Sequence, residues 1–247
     1  MDRLIYTALT GMNSAMDRQR AVANNLANAS TPGFRQEIFA VTPATLRDGS
    51  IEARALAKGL VRGADMTTAQ VNRTSQPLDI AVEGEALIAY QAPGGGEVYS
   101  RRGDLRVGAS GLLANGEGLP VLGESGAPIT VPAGFQLAIA PDGTVLAADP
   151  AAPDVAAQAL DKIKLVSPEG SRLVKGIDSF LTVPGGGALP GDPTARVTPG
   201  ALEQSNVQTA ETLVQMIEAQ RAYEQRAKII QTAGQLDEAG SRLLSMS

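Results

Sequence analysis

The 247-residue chain has no cysteine, no histidine and no tryptophan. Without cysteine there is no disulfide, no thiolate nucleophile and no thiolate metal ligand. Without histidine, imidazole metal sites, Ser–His or Cys–His nucleophile activation and the usual general base near neutral pH are excluded. Aromatic residues are 3% of the chain, so burial must rest on Val, Ile, Leu and Ala. No run approaches the ~20 apolar residues that cross a bilayer as a helix. The N-terminus has no basic stretch leading into a continuous apolar segment, so neither a cleavable secretory signal nor membrane insertion is expected. A net charge of −5, with no basic patch interleaved with aromatics, offers no electrostatic grip on nucleic acid.

Proline is missing from both ends: all fifteen lie between Pro32 and Pro199. Helix interiors resist proline by about 3 kcal/mol, so this distribution leaves two terminal segments free to be long helices around a turn-rich middle. In residues 2–28, Ile5, Leu9, Met12, Met16, Ala23 and Leu26 fall on one helical face, with Gln19 as its polar interruption. Such a helix is roughly 40 Å long at 1.5 Å per residue. Ser30-Thr31-Pro32-Gly33 stops it. In residues 205–244, Leu213, Met216, Gln220, Tyr223, Ala227, Ile230 and Gly234 form the counterpart stripe, again with one glutamine. Ser205 or Asn206 is the expected cap. Past Gly234 the pattern weakens at Asp237 and recovers at Leu243 and Leu244. Residues 1–35 carry four basic against two acidic side chains, and residues 200–247 four against six, so the two ends have opposite net charge.

Between the helices the period changes to two. Leu78-Asp79-Ile80-Ala81-Val82 alternates as a half-buried strand does. Leu137 and Ile139, then Pro141-Asp142-Gly143, then Val145 and Ala147 read as a hairpin. Asn115-Gly116 marks a second, and Pro168-Glu169-Gly170 separates Ile163 and Leu165 from Leu173-Val174. The organisation expected is an N-terminal helix with an Asn-rich motif (1–35), a connecting segment (36–75), a β-rich outer domain (76–185), a Gly/Pro linker (186–200) and a C-terminal helix (201–247). The fold class is thus a mainly β central domain flanked by long terminal α-helices, which pair as a coiled coil on assembly.

No catalytic constellation emerges. Pro93-Gly94-Gly95-Gly96 and Pro184-Gly185-Gly186-Gly187 lack the Lys and Ser/Thr that end a phosphate loop, and they read as plain loops. Adjacent Asp237 and Glu238 diverge around a helix and read as a solvated face. The sequons at Asn28 and Asn72 carry little weight without a secretory signal. Asn24, Asn25 and Asn28 are harder to place. Asparagine is poor mid-helix because its amide competes for backbone groups. Helix termination accounts for Asn28 but not for Asn24 and Asn25, so contact with a neighbouring segment and simple termination both stay open.

Residues 24–34 (Asn-Asn-Leu-Ala-Asn-Ala-Ser-Thr-Pro-Gly-Phe) resemble the N-terminal signature of the flagellar rod, hook and hook-associated axial proteins. Leu78-Asp79-Ile80-Ala81-Val82-Glu83-Gly84, Tyr99-Ser100-Arg101-Arg102-Gly103-Asp104-Leu105 and Gly111-Leu112-Leu113 resemble the family's central β motif. Residues 200–207, 216–224 and 228–232 resemble its C-terminal helix region. The order agrees, and both termini look most like the proximal-rod branch, with the distal-rod branch as close rival. Two departures stand out. Leu87 and Ile88 replace a pair of aromatics, and Arg226 stands where a smaller polar residue is usual.

The resemblance implies a structural rod subunit rather than an enzyme. It would polymerise through its terminal helices, transmit torque from motor to hook, and carry no cofactor or metal. The implied partners are other copies of itself, further proximal-rod and distal-rod proteins, and the flagellar type III export apparatus. The implied place is the basal-body rod where it crosses the periplasm. The implied assembly surface comprises Ile5, Leu9, Met12, Met16, Gln19, Asn24, Asn25, Leu26 and Asn28 at one end, and Leu213, Met216, Gln220, Tyr223, Ala227 and Ile230 at the other. The stripes themselves leave two readings of Gln19 and Gln220 open: they lie near the seam and set register, or they face solvent at a slight twist of the stripe. The alternatives are a distal-rod or hook-type member of the same family and a soluble β-domain enzyme. The enzyme would need carboxylates or lysines as catalytic groups, and no convergent pair is evident.

Overall fold

The structure is a computed structural model and describes residues 2–48, 51–152, 154–176 and 178–245. In chain order it begins with α1 (Asp2–Ala27), β1 (Glu37–Asp48), β2 (Ile51–Ala64), β3 (Val71–Arg73), β4 (Ile80–Val82), β5 (Leu87–Gln91) and β6 (Glu97–Ser100). It continues through β7 (Leu105–Val107), β8 (Leu113–Asn115), β9 (Gln136–Ile139), β10 (Thr144–Ala148), β11 (Gln158–Lys162) and β12 (Leu165–Val166). It ends with β13 (Val174–Lys175), β14 (Leu181–Thr182), β15 (Val197–Pro199), β16 (Ala201–Glu203) and α2 (Thr209–Ser245). The chain divides into two compact units, one of residues 1–27, 37–63 and 208–247, the other of 28–36 and 64–207.

In the first unit α1 packs along α2. Gly11 lies against Arg226, and Arg18 reaches Glu218 at 3.7 Å, so the helices run antiparallel. The unusual Arg226 thus has a glycine opposite it, which leaves room for the longer side chain. Sequence leaves 36–75 as a connecting segment, whereas β1 and β2 hydrogen-bond there as a long two-stranded ribbon. Two strands alone are marginal in water, and the packing of β1 on α1 gives this ribbon support.

The second unit is a set of small sheets around shared apolar clusters. The largest sheet has the order β12-β5-β6-β14-β13. Along β5, Leu87, Ile88, Ala89 and Tyr90 are all 0% exposed. Ile88 and Tyr90 enter one apolar cluster, Leu87 and Ala89 another, as the period of two requires of a strand covered on both faces. The aliphatic pair at positions 87–88 therefore fills a buried strand. Around Pro141-Asp142-Gly143, β9 and β10 pair antiparallel with Val145 opposite Ile139, as the turn chemistry predicts. Asn115 also forms its turn, accepting Leu119 N–H at 2.9 Å on Oδ1. By contrast, β12 and β13 do not pair with each other across Pro168-Glu169-Gly170: β12 lies beside β5, and β13 beside β14.

Two boundaries differ from the sequence reading. Residues 186–200 are not a bare linker, because Leu189 is buried and its N–H donates to Tyr99 Oη at 2.8 Å. Burial pushes that phenol up to about 12. Farther on, β15 pairs with β4. At the C-terminal end, 201–203 is strand β16 against β3, and the helix starts at Thr209. Asn206 does not cap it. Its Oδ1 accepts Gln36 N–H at 2.7 Å and its Nδ2 donates to the Asp65 and Thr67 carbonyls. The amide is occupied holding loops of the second unit together.

Candidate assembly surface

Covered positions on the two helices carry small side chains. Ser14, Ala15, Ala21 and Val22 of α1, with Thr212, Ala219 and Ala233 of α2, are each at most 5% exposed. Large apolar side chains stand outside: Leu9 is 40% exposed and Leu213 47%, and Met16, Val214 and Ile217 are exposed as well. The stripes expected from sequence therefore flank the covered faces. On α1, Met12, Gln19 and Leu26 are half-buried, and Leu9, Met16 and Ala23 are exposed. On α2, Met216, Tyr223, Ala227 and Ile230 are half-buried, whereas Leu213 and Gln220 are exposed. Gln220 donates to Glu224 Oε1 at 3.1 Å along its own helix. The side chains of Ile5, Asp237, Glu238, Leu243 and Leu244 lie outside the described residues.

The asparagine question resolves toward contact for two of the three. Asn25 is 2% exposed and its amide pairs with the backbone of Glu37, accepting from N–H at 2.8 Å and donating to C=O at 3.1 Å. A side chain thereby completes the backbone pairing at the half-buried first residue of β1. Asn24 Nδ2 donates to the Glu37 carboxylate. Asn28 belongs to the turn itself, where its Oδ1 accepts from the Thr31 hydroxyl and its carbonyl from Thr31 N–H, each at 3.1 Å. Asn25→Leu is expected to strand both Glu37 groups and cost about 1–3 kcal/mol. Denaturation followed by circular dichroism reads it, with Asn25→Asp falling between because it keeps the acceptor. An unchanged midpoint would show that the pairing contributes nothing.

The turn after Asn28 is anchored in the second unit by four buried charged side chains. Gly33 N–H donates to the Glu203 carbonyl at 2.8 Å, and Phe34 is buried with Lys175 Nζ 3.4 Å above its ring centroid. Lys175 also donates to the Arg35 carbonyl. The Glu203 carboxylate, 1% exposed, takes Arg101 Nε on Oε2 at 2.6 Å and Ala69 N–H on Oε1 at 2.7 Å. Arg35 Nη2 stands 2.8 Å from Oε1 as a charge contact, off the line of an aligned hydrogen bond. Its Nη1 donates to the Thr67 carbonyl at 2.7 Å. Arg101 spends its remaining donors on the carbonyls of Val82, Gly84 and Ala86, fixing the β4–β5 turn. Burial lowers the Arg35 guanidinium below its ordinary value, and Glu203 opposes that shift.

Sequence reasoning missed this anchor. Arg35 and Glu203 are 168 positions apart, and single charged residues read as surface. The available signal was local: Arg35 directly follows the motif, and Glu203 sits among residues that resemble the family's C-terminal region. Among the described residues no group of three or more acidic side chains is placed to hold a metal ion, and no helix is long and apolar enough to cross a membrane.

Comparison with known proteins covers both ends and the middle. Residues 5–35 match the family described as flagella basal body rod protein, and 81–147 the flagellar hook protein FlgE/F/G D1 domain. Residues 198–243 match the flagellar basal body rod FlgEFG protein C-terminal family. The chain is 38% identical to flagellar basal-body rod protein FlgF of Salmonella typhimurium over the whole length of both. The FlgF protein of Escherichia coli is 37% identical, again over both full lengths. FlgG of Bacillus subtilis is 26% identical over 96% of this chain and 97% of its own.

Proposed function

The chain belongs to the family of flagellar basal-body rod proteins, and from that premise we propose that it is a structural subunit of the rod on its proximal side. Full-length similarity to the FlgF proteins favours that branch, and the lower identity to FlgG makes the distal rod the second reading. The observation that carries the assembly role is the inverted packing of α1 and α2, with small side chains covered and Leu9, Met16, Leu213, Val214 and Ile217 exposed. Clustered apolar surface of this kind marks an interaction site, and a subunit awaiting its neighbours presents it where the neighbours will sit.

In this reading the helices polymerise along the shaft as a coiled-coil-like wall. The subunit works by stiffness: close-packed side chains cannot shift without opening voids, so the assembled helices carry torque from motor to hook. The chain reaches the rod through the flagellar type III export apparatus.

Electron microscopy of basal bodies from cells lacking the gene tests the role. Rings that stop short of a completed rod are expected, with rods restored by the intact gene and the chain retained in the cytoplasm when export is blocked. Complete rods with hooks in the deletion strain would reject the assignment.

A further inference from the structure

We infer that Asn115-Gly116 is a hydrolytic modification site, which the fold of the β-rich unit keeps closed and which opens only when that unit unfolds. The inference does not depend on the rod reading. Of the seven asparagines in the chain, Asn115 alone is followed by glycine. Glycine has no Cβ to hold its amide nitrogen away from a neighbouring side chain. In a freely moving chain the Gly116 nitrogen therefore reaches Cγ of Asn115. An N–Cγ bond forms as the Cγ–Nδ2 bond breaks, and Nδ2 leaves as ammonia with the proton of the Gly116 amide. Water then opens the five-membered imide. Cleavage of N–Cγ gives aspartate. Cleavage of the bond from N to the Asn115 carbonyl carbon gives isoaspartate, whose main chain runs through the side chain and is one carbon longer.

Folding closes this route. Asn115 ends β8 with extended backbone, which carries the Gly116 nitrogen away from the side chain. Its N–H donates to the Leu119 carbonyl at 3.0 Å, and its carbonyl accepts Gly118 N–H at 2.9 Å. The side chain is pinned as well, with Oδ1 accepting Glu117 N–H at 3.0 Å and Leu119 N–H at 2.9 Å. Nδ2 is buried without a hydrogen-bond partner, so the amide is held by its oxygen alone. Turning the Gly116 nitrogen onto Cγ would break the whole turn. Asn115 is also 0% exposed, so the water of the second step has no access. The turn demands both halves of the dipeptide. The Asn115 oxygen closes it, and a Cβ at position 116 would run into the Asp104 carboxylate, which Arg102 holds at 2.6 and 2.9 Å. Neither product suits the site. Aspartate places a charge at a fully buried position, and isoaspartate lengthens the chain where Asn115 pairs with Leu105. Time spent unfolded is in this way written into the chain, and the record hinders refolding.

The full-length chain is incubated at mildly alkaline pH in native buffer and, in parallel, in guanidinium chloride. Peptide mapping by mass spectrometry follows Asn115, and an isoaspartate assay follows the longer product. In denaturant, Asn115 is expected to convert faster than the other asparagines of the chain. In native buffer it is expected to convert at least about tenfold more slowly than in denaturant, which corresponds to an opening that costs about 1.4 kcal/mol or more. Equal rates in the two solutions, or conversion in denaturant no faster than at Asn72, would overturn the site. Chains aged in denaturant are then returned to native buffer, and limited proteolysis separates refolded β-rich units from chains that stay unfolded. The refolded pool is expected to be enriched in unmodified Asn115. The same modified fraction in both pools would overturn the hindrance to refolding.

Discussion

Glu203→Gln is expected to remove a large part of the stability of the β-rich unit. The substitution keeps the side chain's shape and removes its charge, leaving two guanidiniums, each at most 3% exposed, without their carboxylate. Removing one partner of a buried ion pair costs about 3–5 kcal/mol, because the charge left behind has neither water nor counter-charge. Total domain stability is roughly 5–15 kcal/mol, so this is a large fraction of it. The amide also turns a donor toward one of the arginines or toward Ala69 N–H, which adds to the loss. Denaturant unfolding followed by circular dichroism gives the magnitude. Glu218→Gln serves as comparison: its 3.7 Å contact with Arg18 is solvent-exposed and should change stability by about 0–1 kcal/mol. Arg35→Met in the Glu203→Gln background should recover part of the loss, since it deletes one of the uncompensated charges. Strictly additive losses would show that Arg35 and Glu203 are not coupled.

Helix existence was legible in the sequence because proline is confined to residues 32–199 and the apolar period at both ends is long. The helix face was less so. Periodicity weighted by large apolar residues finds Leu9, Met12 and Met16, yet the covered line is Ala15 and Val22. Those shorter side chains let a neighbouring helix approach closely but weigh less in a hydrophobic pattern than Leu or Met. The same bias chose Leu213 over Thr212, and the four-three spacing from Met216 to Tyr223 then put Gln220 rather than the covered Ala219 on the stripe. Asn25 was legible by chemistry, since a mid-helix asparagine needs a reason, and Glu37 backbone supplies it. The β1–β2 ribbon was missed although Gly49-Ser50 separates its two runs at hairpin spacing, because Pro43 and Gly59 interrupt the strand pattern on either side. Asn206 misled for a physical reason: the donor and acceptor that suit it to a helix cap also suit it to bridge Gln36, Asp65 and Thr67. The family resemblance on residues 24–34, 77–131 and 200–232 overlaps all three matched spans, so membership was readable where the anchor beneath the motif was not.

Why the motif needs glycine at position 33 follows from two separate demands, and a pair of substitutions separates them. Gly33 has φ +68°, and a Cβ built there would lie 2.3 Å from the backbone of Arg101 and Arg102. Gly84 has nearly the same φ, +63°, but a Cβ there meets nothing within 4 Å. Gly84→Ala should therefore show only the left-handed conformational cost, about 1–2 kcal/mol. Gly33→Ala should add an overpacking cost of about 1–3 kcal/mol, since backbone rather than a flexible side chain blocks the methyl. Relief requires the turn to lift from residues 101–102, and that movement loosens the Gly33–Glu203 hydrogen bond, the Phe34–Lys175 stack and the approach of Arg35 to Glu203 together. The loss at Gly33 is thus expected to exceed that at Gly84 and to shrink in the Glu203→Gln background, where part of the anchor is already gone. Equal losses at the two glycines would mean that the turn is held by its own conformation alone, and that the close approach to strand-end backbone contributes nothing.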